Sequence, residues 1–537
     1  MHPIKKTLLL VSLIFSMTPV MAERTQQTCL KEHAKDCIVT IVPPDLSGVT
    51  LASCNTPVLE TYVLQNNSPF MVEIGAPEII DITPPSANIT LSSTTCGSTL
   101  AANASCNIVV SFSLCALGDY SATLEDPISS RPGYVTSAIS LTLTPPAVGA
   151  SYDASGNNDL TLSYTSSMDG DLWTLYAGAP TPLPTPATPA TQKQGHLFGA
   201  FCVGPNCVAV GESFQEPAYT NLLPLAYTST DGGNTWALTP AFTTDAQGQG
   251  LLQSVACVDL NCASVGLSTT GNFTNLKPLG YISTNGGVTW SLPRSFSPSL
   301  PANTQAQLFS VDCVVTTCTT VGSFYNTAAS APVIPTAPLG YVSTDSGNTW
   351  SSTGVTFDAS TPTNTFLNSV SCVGTTCTAV GGYFNNSNLN QPYSFYSTNS
   401  GSTWTASPIT SASGQAQEAL FAVDCVGTDC VAAGASFDSN GDSQLPLVYT
   451  SDDYGQTWTI ASLPALLDYQ IQAGLDGVTC VGSNTCIAVG NYYDSLGNIY
   501  PLAYTSQDQG SSWTLSLPIP PVSASQPQGQ FFGIAGS

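Results

Sequence analysis

The sequence predicts an all-β protein: a seven-bladed β-propeller with disulfide-stapled A–B hairpins, behind a small N-terminal β-sandwich. Three observations carry the prediction. An octapeptide ending in tryptophan recurs six times, closing at Trp236, Trp290, Trp350, Trp404, Trp458 and Trp513, every 54 to 60 residues. A cysteine pair precedes each copy. The end of the chain supplies a strand that its first repeat lacks.

Composition bounds the rest. The chain has 537 residues, only 8% of them charged, and 9 Lys and Arg against 34 Asp and Glu give −25. Nucleic acid and anionic membranes call for a basic patch, so neither is expected as a partner. The 44 glycines and 39 prolines suit short strands and many turns.

The first residues read as an export signal. Lys5 and Lys6 precede an apolar run from Leu8 to Phe15, and Val20 and Ala22 are the small residues of a cut after Ala22. Removal of residues 1–22 takes away two of the nine basic residues and moves the charge to −27. No later segment reaches about 18 uninterrupted apolar residues, so no membrane span is expected. The expected compartment is periplasmic or extracellular, where 18 cysteines favour disulfides.

Residues 23–146 lack the repeat. Apolar alternation in 61–65, 105–112 and 137–144 predicts strands of a small sandwich. Their six cysteines allow 15 pairings. Cys96 with Cys106 is the expected one and the others stay open. The stretch CGSTLAANASCNIVVSFSLCALGDYSATL (96–124) resembles bacterial Ig-like modules, which implies an Ig-like β-sandwich ending at Pro145-Pro146.

From residue 147 to 537 the repeats take over. The octapeptides STDGGNTW, STNGGVTW, STDSGNTW, STNSGSTW, SDDYGQTW and SQDQGSSW share S-x-[DN]-x-G-x-[TS]-W. A weaker copy, SSMDGDLW, ends at Trp173. The cysteine pairs are Cys202 and Cys207, Cys257 and Cys262, Cys313 and Cys318, Cys372 and Cys377, Cys425 and Cys430, and Cys480 and Cys486. Each sits at the turn between two alternating apolar runs, which predicts a β-hairpin closed by a disulfide. A third run and the octapeptide complete four strands, A to D. Such a unit cannot bury its own faces, whereas stacked copies can, which is the logic of a propeller. Residues 529–537 match strand A of other repeats, and 147–174 match strands B to D of 432–459 without a gap. One blade is therefore expected to be shared between 147–175 and 529–537. The segment 178–192, rich in Pro, Thr and Ala, reads as an extended link.

The octapeptides resemble the Asp-box of BNR repeats, found in sialidases, xyloglucan-cleaving glycosidases, sortilin-type receptors and photosystem II assembly factors. The resemblance implies the propeller fold and leaves function open, because that fold hosts enzymes and binders alike. Turn chemistry accounts for every position of the motif. Ser229, Asp231 and Thr235 bond the turn, Gly233 permits positive φ, and Trp236 packs between sheets. The same structural role is expected of Asn285, Asp345, Asn399, Asp453 and Asp508.

A sialidase needs three arginines to clamp the sugar carboxylate. From residue 147 onward the basic residues are Lys193, Lys277, Arg294 and His196. No triad can be assembled. Metal and Ser-His-Asp chemistry lack histidines, and no cofactor is expected. The Gly-containing acidic loops 153–159 and 438–442 read as strand turns before calcium sites. A glycoside hydrolase needs only two facing carboxylates, but none of the acidic residues near the B–C connections stands out as a pair. These include Glu212 and Glu216, Asp153 and Asp159, Asp438 and Asp442, and Asp494.

The expected function is a non-enzymatic binding or assembly protein for a glycan or protein ligand; the alternative is a glycoside hydrolase that lacks the sialidase arginine triad. The A–B and C–D turns share one face and are nearly uniform. The B–C and D–A connections share the other face and vary, as specificity requires. The expected ligand residues there are Glu212, Phe214, Tyr325, Tyr383, Phe384, Phe437, Asp438, Tyr492, Tyr493 and Asp494. Strand alternation should turn about half of these rings inward.

Overall fold

The computed structural model describes the strands and most turns within residues 39–536. The first 38 residues, residues 176–193 and several strand connections lie outside the described residues. So do the export signal, the 178–192 link, Cys29, Cys37, Cys54, Cys115, Asp159 and Glu216. Every regular element among the described residues is a β-strand.

In the N-terminal region one sheet takes Val39–Val42, Val58–Asn66, Ser105–Ser113 and Asn88–Thr94, and a second takes Glu78–Thr83, Gly118–Pro127 and Tyr134–Leu143. Alternation puts Tyr62, Leu64, Ile108, Val110 and Phe112 of the first sheet into one core with Leu124 and Ile139 of the second. That is two sheets facing each other over a shared apolar layer. The Cys96–Cys106 disulfide ties the Asn88–Thr94 edge back to the central strand.

Seven sheets with antiparallel consecutive strands follow among the described residues. Sheet one runs Gln194–Val203, Asn206–Gln215, Thr220–Ser229 and Ala237–Leu238. Sheets two to six begin with Gln249–Val258, Thr304–Val314, Thr365–Val373, Gln417–Val426 and Gln472–Val481. The closing sheet joins the two ends of this region: Gln528–Ile534 pairs with Ala147–Tyr152, followed by Leu160–Ser166 and Trp173–Leu175. The first strands of neighbouring sheets lie side by side in a closed, propeller-like ring, with the closing sheet between sheet six and sheet one.

Strand counts depart from a uniform four. In sheet two the fourth strand shrinks to a bridge between Ile282 and Ser291. Sheets three and four gain a fifth, parallel strand from the preceding connection, Ser295–Ser297 and Thr356–Phe357. Phe296 stacks on Trp350 and Phe357 on Trp404, so the connection is held against the outer edge and covers it.

Each of the seven first strands carries one β-bulge at the same level. The unpaired residues are Phe198, Gln253, Phe309, Asn368, Phe421, Asp476 and Phe532. All are half-buried on the innermost strands. Opposite each bulge the second strand has a glycine: Gly211, Gly266, Gly322, Gly381, Gly434, Gly490 and, in the closing sheet, Gly149. A β-carbon there would fall on a carbonyl oxygen of the first strand. The bulge thus brings two backbones closer than any side chain allows.

Candidate ligand-binding face

The two ends of the ring are built differently. At one end the six hairpin disulfides close, each across directly opposed cysteines with Cα atoms 4.0 to 4.1 Å apart. The octapeptide of the same sheet leans on each hairpin turn through one backbone bond, from Gly232 to Pro205, Gly286 to Leu260, Ser346 to Thr316, Ser400 to Thr375, Tyr454 to Thr428 and Gln509 to Asn484.

Inside the octapeptide the bonding repeats almost without change. Ser343 Oγ donates to Asp345 Oδ1 at 2.8 Å and accepts from Gly347 N at 2.9 Å; Thr349 donates to both Asp345 oxygens. Asp231, Asn285, Asn399, Asp453 and Asp508 stand in the same network. Partial burial works against the charged form, but the donors outweigh it and hold Asp345, Asp453 and Asp508 below the usual carboxylate range. Their acceptor capacity goes to the turn. Gly347, at φ 85°, also packs on Ala263 of the preceding sheet, so both conformation and space demand glycine. The tryptophans lie between sheets, as where Trp458 Nε1 donates to Ser394 Oγ at 2.9 Å.

The other end gathers the heads of the first strands with the B–C and D–A connections. Its internal chemistry rests on a residue the sequence reading passed over. Gln194, Gln249, Gln305, Gln417 and Gln472 stand eight residues before the first hairpin cysteine, with Asn364 in the sixth such place and Gln528 heading the closing sheet. Gln417 Oε1 accepts from Asn390 N of the preceding sheet, while its Nε2 donates to Asp438 O of its own. Gln528 does the same with Ile499 N and Asp153 O. Gln305 Oε1 likewise accepts from Leu276 N. The Gln-x7-Cys spacing was legible, and where these bonds form the side chain stitches adjacent sheets.

The expected ligand residues divide by placement. Asp438 accepts from the backbone N–H groups of Asn440 and Asp442, and Asp494 from those of Leu496 and Asn498. Their carboxyls sit below the usual range, for Asp438 chiefly through the Asn440 N–H and for Asp494 through the Asn498 side chain. Both cap their own turns, as Asn385 does in sheet four.

Glu212 and Phe214, expected on the ligand face, lie inside. The second strand continues to Gln215, so both positions are still covered by sheet. Glu212 Oε1 stands 3.0 Å from His196 Nδ1, and Tyr152, Phe198, Phe214 and Phe532 surround that imidazole. Tyr492 is buried too, stacked on Tyr500 at 5.3 Å. Tyr325, Tyr383, Phe384, Phe437 and Tyr493 keep part of their surface open. Tyr383 packs edge-on against Tyr393, and Phe384 lies tilted against Phe366.

Carboxylates also line the inner strands. Asp312 accepts from the N–H groups of Cys313 and Cys372, bridging sheets three and four. Asp424 accepts from Cys425 and Cys480 N–H and from the Ser371 and Thr479 hydroxyls. Asp476, the bulge residue of sheet six, is pushed up to about 7 by burial. Some of its surface meets solvent, which tempers that shift. Its folded pKa lies above its ordinary 3.8, so its contribution to stability is complete below about pH 4 and is lost as pH rises through 7. Asp476→Asn is expected to gain melting temperature over the parent at about pH 8 and to match it near pH 4. An equal difference at both pH values rules out titration of this group as the cause. Among the described residues no group of three or more His, Cys, Asp or Glu could hold a metal ion.

Residues 281–292 match the BNR/Asp-box repeat family. No curated protein matches the chain. Among solved structures, the GH74 xyloglucanase from Xanthomonas campestris is similar at TM-score 0.28 and 12% identity, covering 89% of this chain and 81% of that one. A Penicillium chrysogenum alpha-L-arabinanase complexed with arabinobiose is similar at TM-score 0.34 and 12% identity, covering 62% and 89%.

Proposed function

We propose that the chain is an exported binding protein. In this reading residues 23–146 form an Ig-like module and 147–537 a seven-bladed propeller with one blade shared between 147–175 and 529–537. The variable end of the ring recognises a glycan or protein ligand. The observation that carries the proposal is the contrast between the two ends. At one, six sheets repeat the same hydrogen bonds, and six equal surfaces offer a ligand nothing to select. At the other, B–C turns and D–A connections of different length and content sit on a rigid frame. The six hairpin disulfides support export, since such bonds persist in oxidising compartments.

Among the described residues, the carboxylates at the variable end favour binding over a glycoside hydrolase. A hydrolase needs two of them facing each other across open space, about 5 to 10 Å apart. Asp438 and Asp494 are committed to their turns, and Glu212 is interior. Glu418 is interior as well, taken up by Ser411, Ala412, Ser413 and Tyr449. The test is a combined glycan and peptide array with the mature protein, followed by hydrolysis assays on each hit. A retained hit that Tyr383→Ala weakens about fivefold or more, and Asp345→Ala leaves alone in folded protein, is the expected outcome. Turnover of a bound glycan would assign the hydrolase instead.

A further inference from the structure

One sector of the variable end is unlike the rest. Leu467, Tyr469 and Ile471, on the connection entering sheet six, are 42, 45 and 52% exposed, and Leu496, at the tip of that sheet's B–C turn, is 85% exposed. The segments that carry them are bonded together. Tyr469 meets Tyr492 at 5.9 Å, Ile471 N donates to Tyr493 O, and the Asp494 cap holds the turn bearing Leu496. Ala473 N donates to Gln444 O, which brings in exposed Leu445 of sheet five. Rigid tyrosines beside open aliphatic side chains, on hydrogen-bonded turns, make a preformed apolar patch of the kind that marks an interaction site.

The charge around it selects the partner. The sequence has no Lys, Arg or His after Arg294. Exposed Asp468 and Asp442 flank the patch, together with the ionised caps Asp438 and Asp494. An anionic membrane or a second copy of this chain is repelled by that field. A glycan needs hydrogen-bonding groups, and the Asp494 oxygens are already engaged by Leu496, Asn498 and Tyr500. Aliphatic surface ringed by negative charge fits apolar side chains interleaved with basic ones.

We infer that this sector, between sheets five and six, docks a cationic, leucine-rich type of polypeptide segment from a protein partner. The inference rests on the binding reading above and narrows its ligand class. The probe is a labelled 14-residue peptide of paired Leu and Lys, compared with two controls in which Ser replaces Leu or Glu replaces Lys. Fluorescence anisotropy with the full mature protein should give saturable binding of the Leu/Lys peptide. Both controls should bind at least about tenfold more weakly. Leu496→Ser with Ile471→Ser should weaken the Leu/Lys peptide about tenfold at unchanged melting temperature; Leu496→Ser alone, at a turn tip outside any core, is the safeguard should the pair not fold. Equal affinity for the Ser/Lys peptide means charge alone binds and overturns the inference, as do silent patch variants or a dimer that the patch variants dissolve. An array glycan lost with Tyr383→Ala but untouched by the patch variants would sink this inference while leaving the binding reading intact.

Discussion

Truncation before residue 528 should abolish recovery of soluble, folded monomer. The strand Gln528–Ile534 is the innermost strand of the closing sheet, and its loss bares the edge Ala147–Tyr152. It also opens two interfaces at once. Phe531 and Ile534 are buried with Ala147, Leu162 and Tyr164 on one side and with Ile487, Val489 and Ala503 of sheet six on the other. Burial of two such side chains is worth about 1.5–3 kcal/mol each. Beyond the strand, Gly536 O accepts from Cys202 N and Gly536 N donates to Ala200 O, latching the ring to sheet one. A domain is stable by only about 5–15 kcal/mol in total. Size-exclusion chromatography and thermal melting check the expectation; a truncated monomer with the parent's melting temperature would show that ring closure contributes nothing.

Gly434→Ala should cost about 3 kcal/mol or more, a large effect for one methyl group. The added carbon lands on the carbonyl oxygen of Ala419 across the bulge and reaches Leu420 Cα at 2.9 Å. Both obstacles are backbone, and no rotamer change relieves them. The first strand would have to leave the second, disturbing the packing of Leu420 and Val423 in sheet five. Gly97→Ala is the comparison, since its methyl group meets nothing nearer than 3.9 Å. Urea unfolding midpoints at constant slope measure both. Equal midpoints for the two variants would refute the steric account.

Local signals were well read because local chemistry produces them. The octapeptide bonds to itself and to its own hairpin, so Ser, Asp or Asn, Gly and Thr at fixed spacing suffice to announce it. The cysteine pairs are cross-strand neighbours five or six residues apart, and alternation alone places them opposite each other. The candidate ligand residues were read less well. Glu212 and Phe214 looked like loop residues from composition, yet the strand runs on past them, and His196 faces Glu212 only because strand pairing sets His196 against it. Two further regularities stood in plain sight, glycine four residues after each second hairpin cysteine and glutamine eight before five of the first. Neither has a meaning within one repeat.

The amino-acid sequence by itself determined the all-β class, the repeat, the disulfide hairpins, the turn chemistry and the kinship of the two ends of the repeat region, because each depends on contacts within a single sheet or on matching segments. The tertiary structure alone decided that every first strand bulges, that a glycine must face each bulge, that a glutamine stitches neighbours, and that the segments bearing Leu467, Tyr469, Ile471 and Leu496 are joined in one exposed sector. The physical reason is common to all four. They are set by how one sheet sits against the next around a closed ring, and that spacing exists only once the chain's end has paired with strand Ala147–Tyr152.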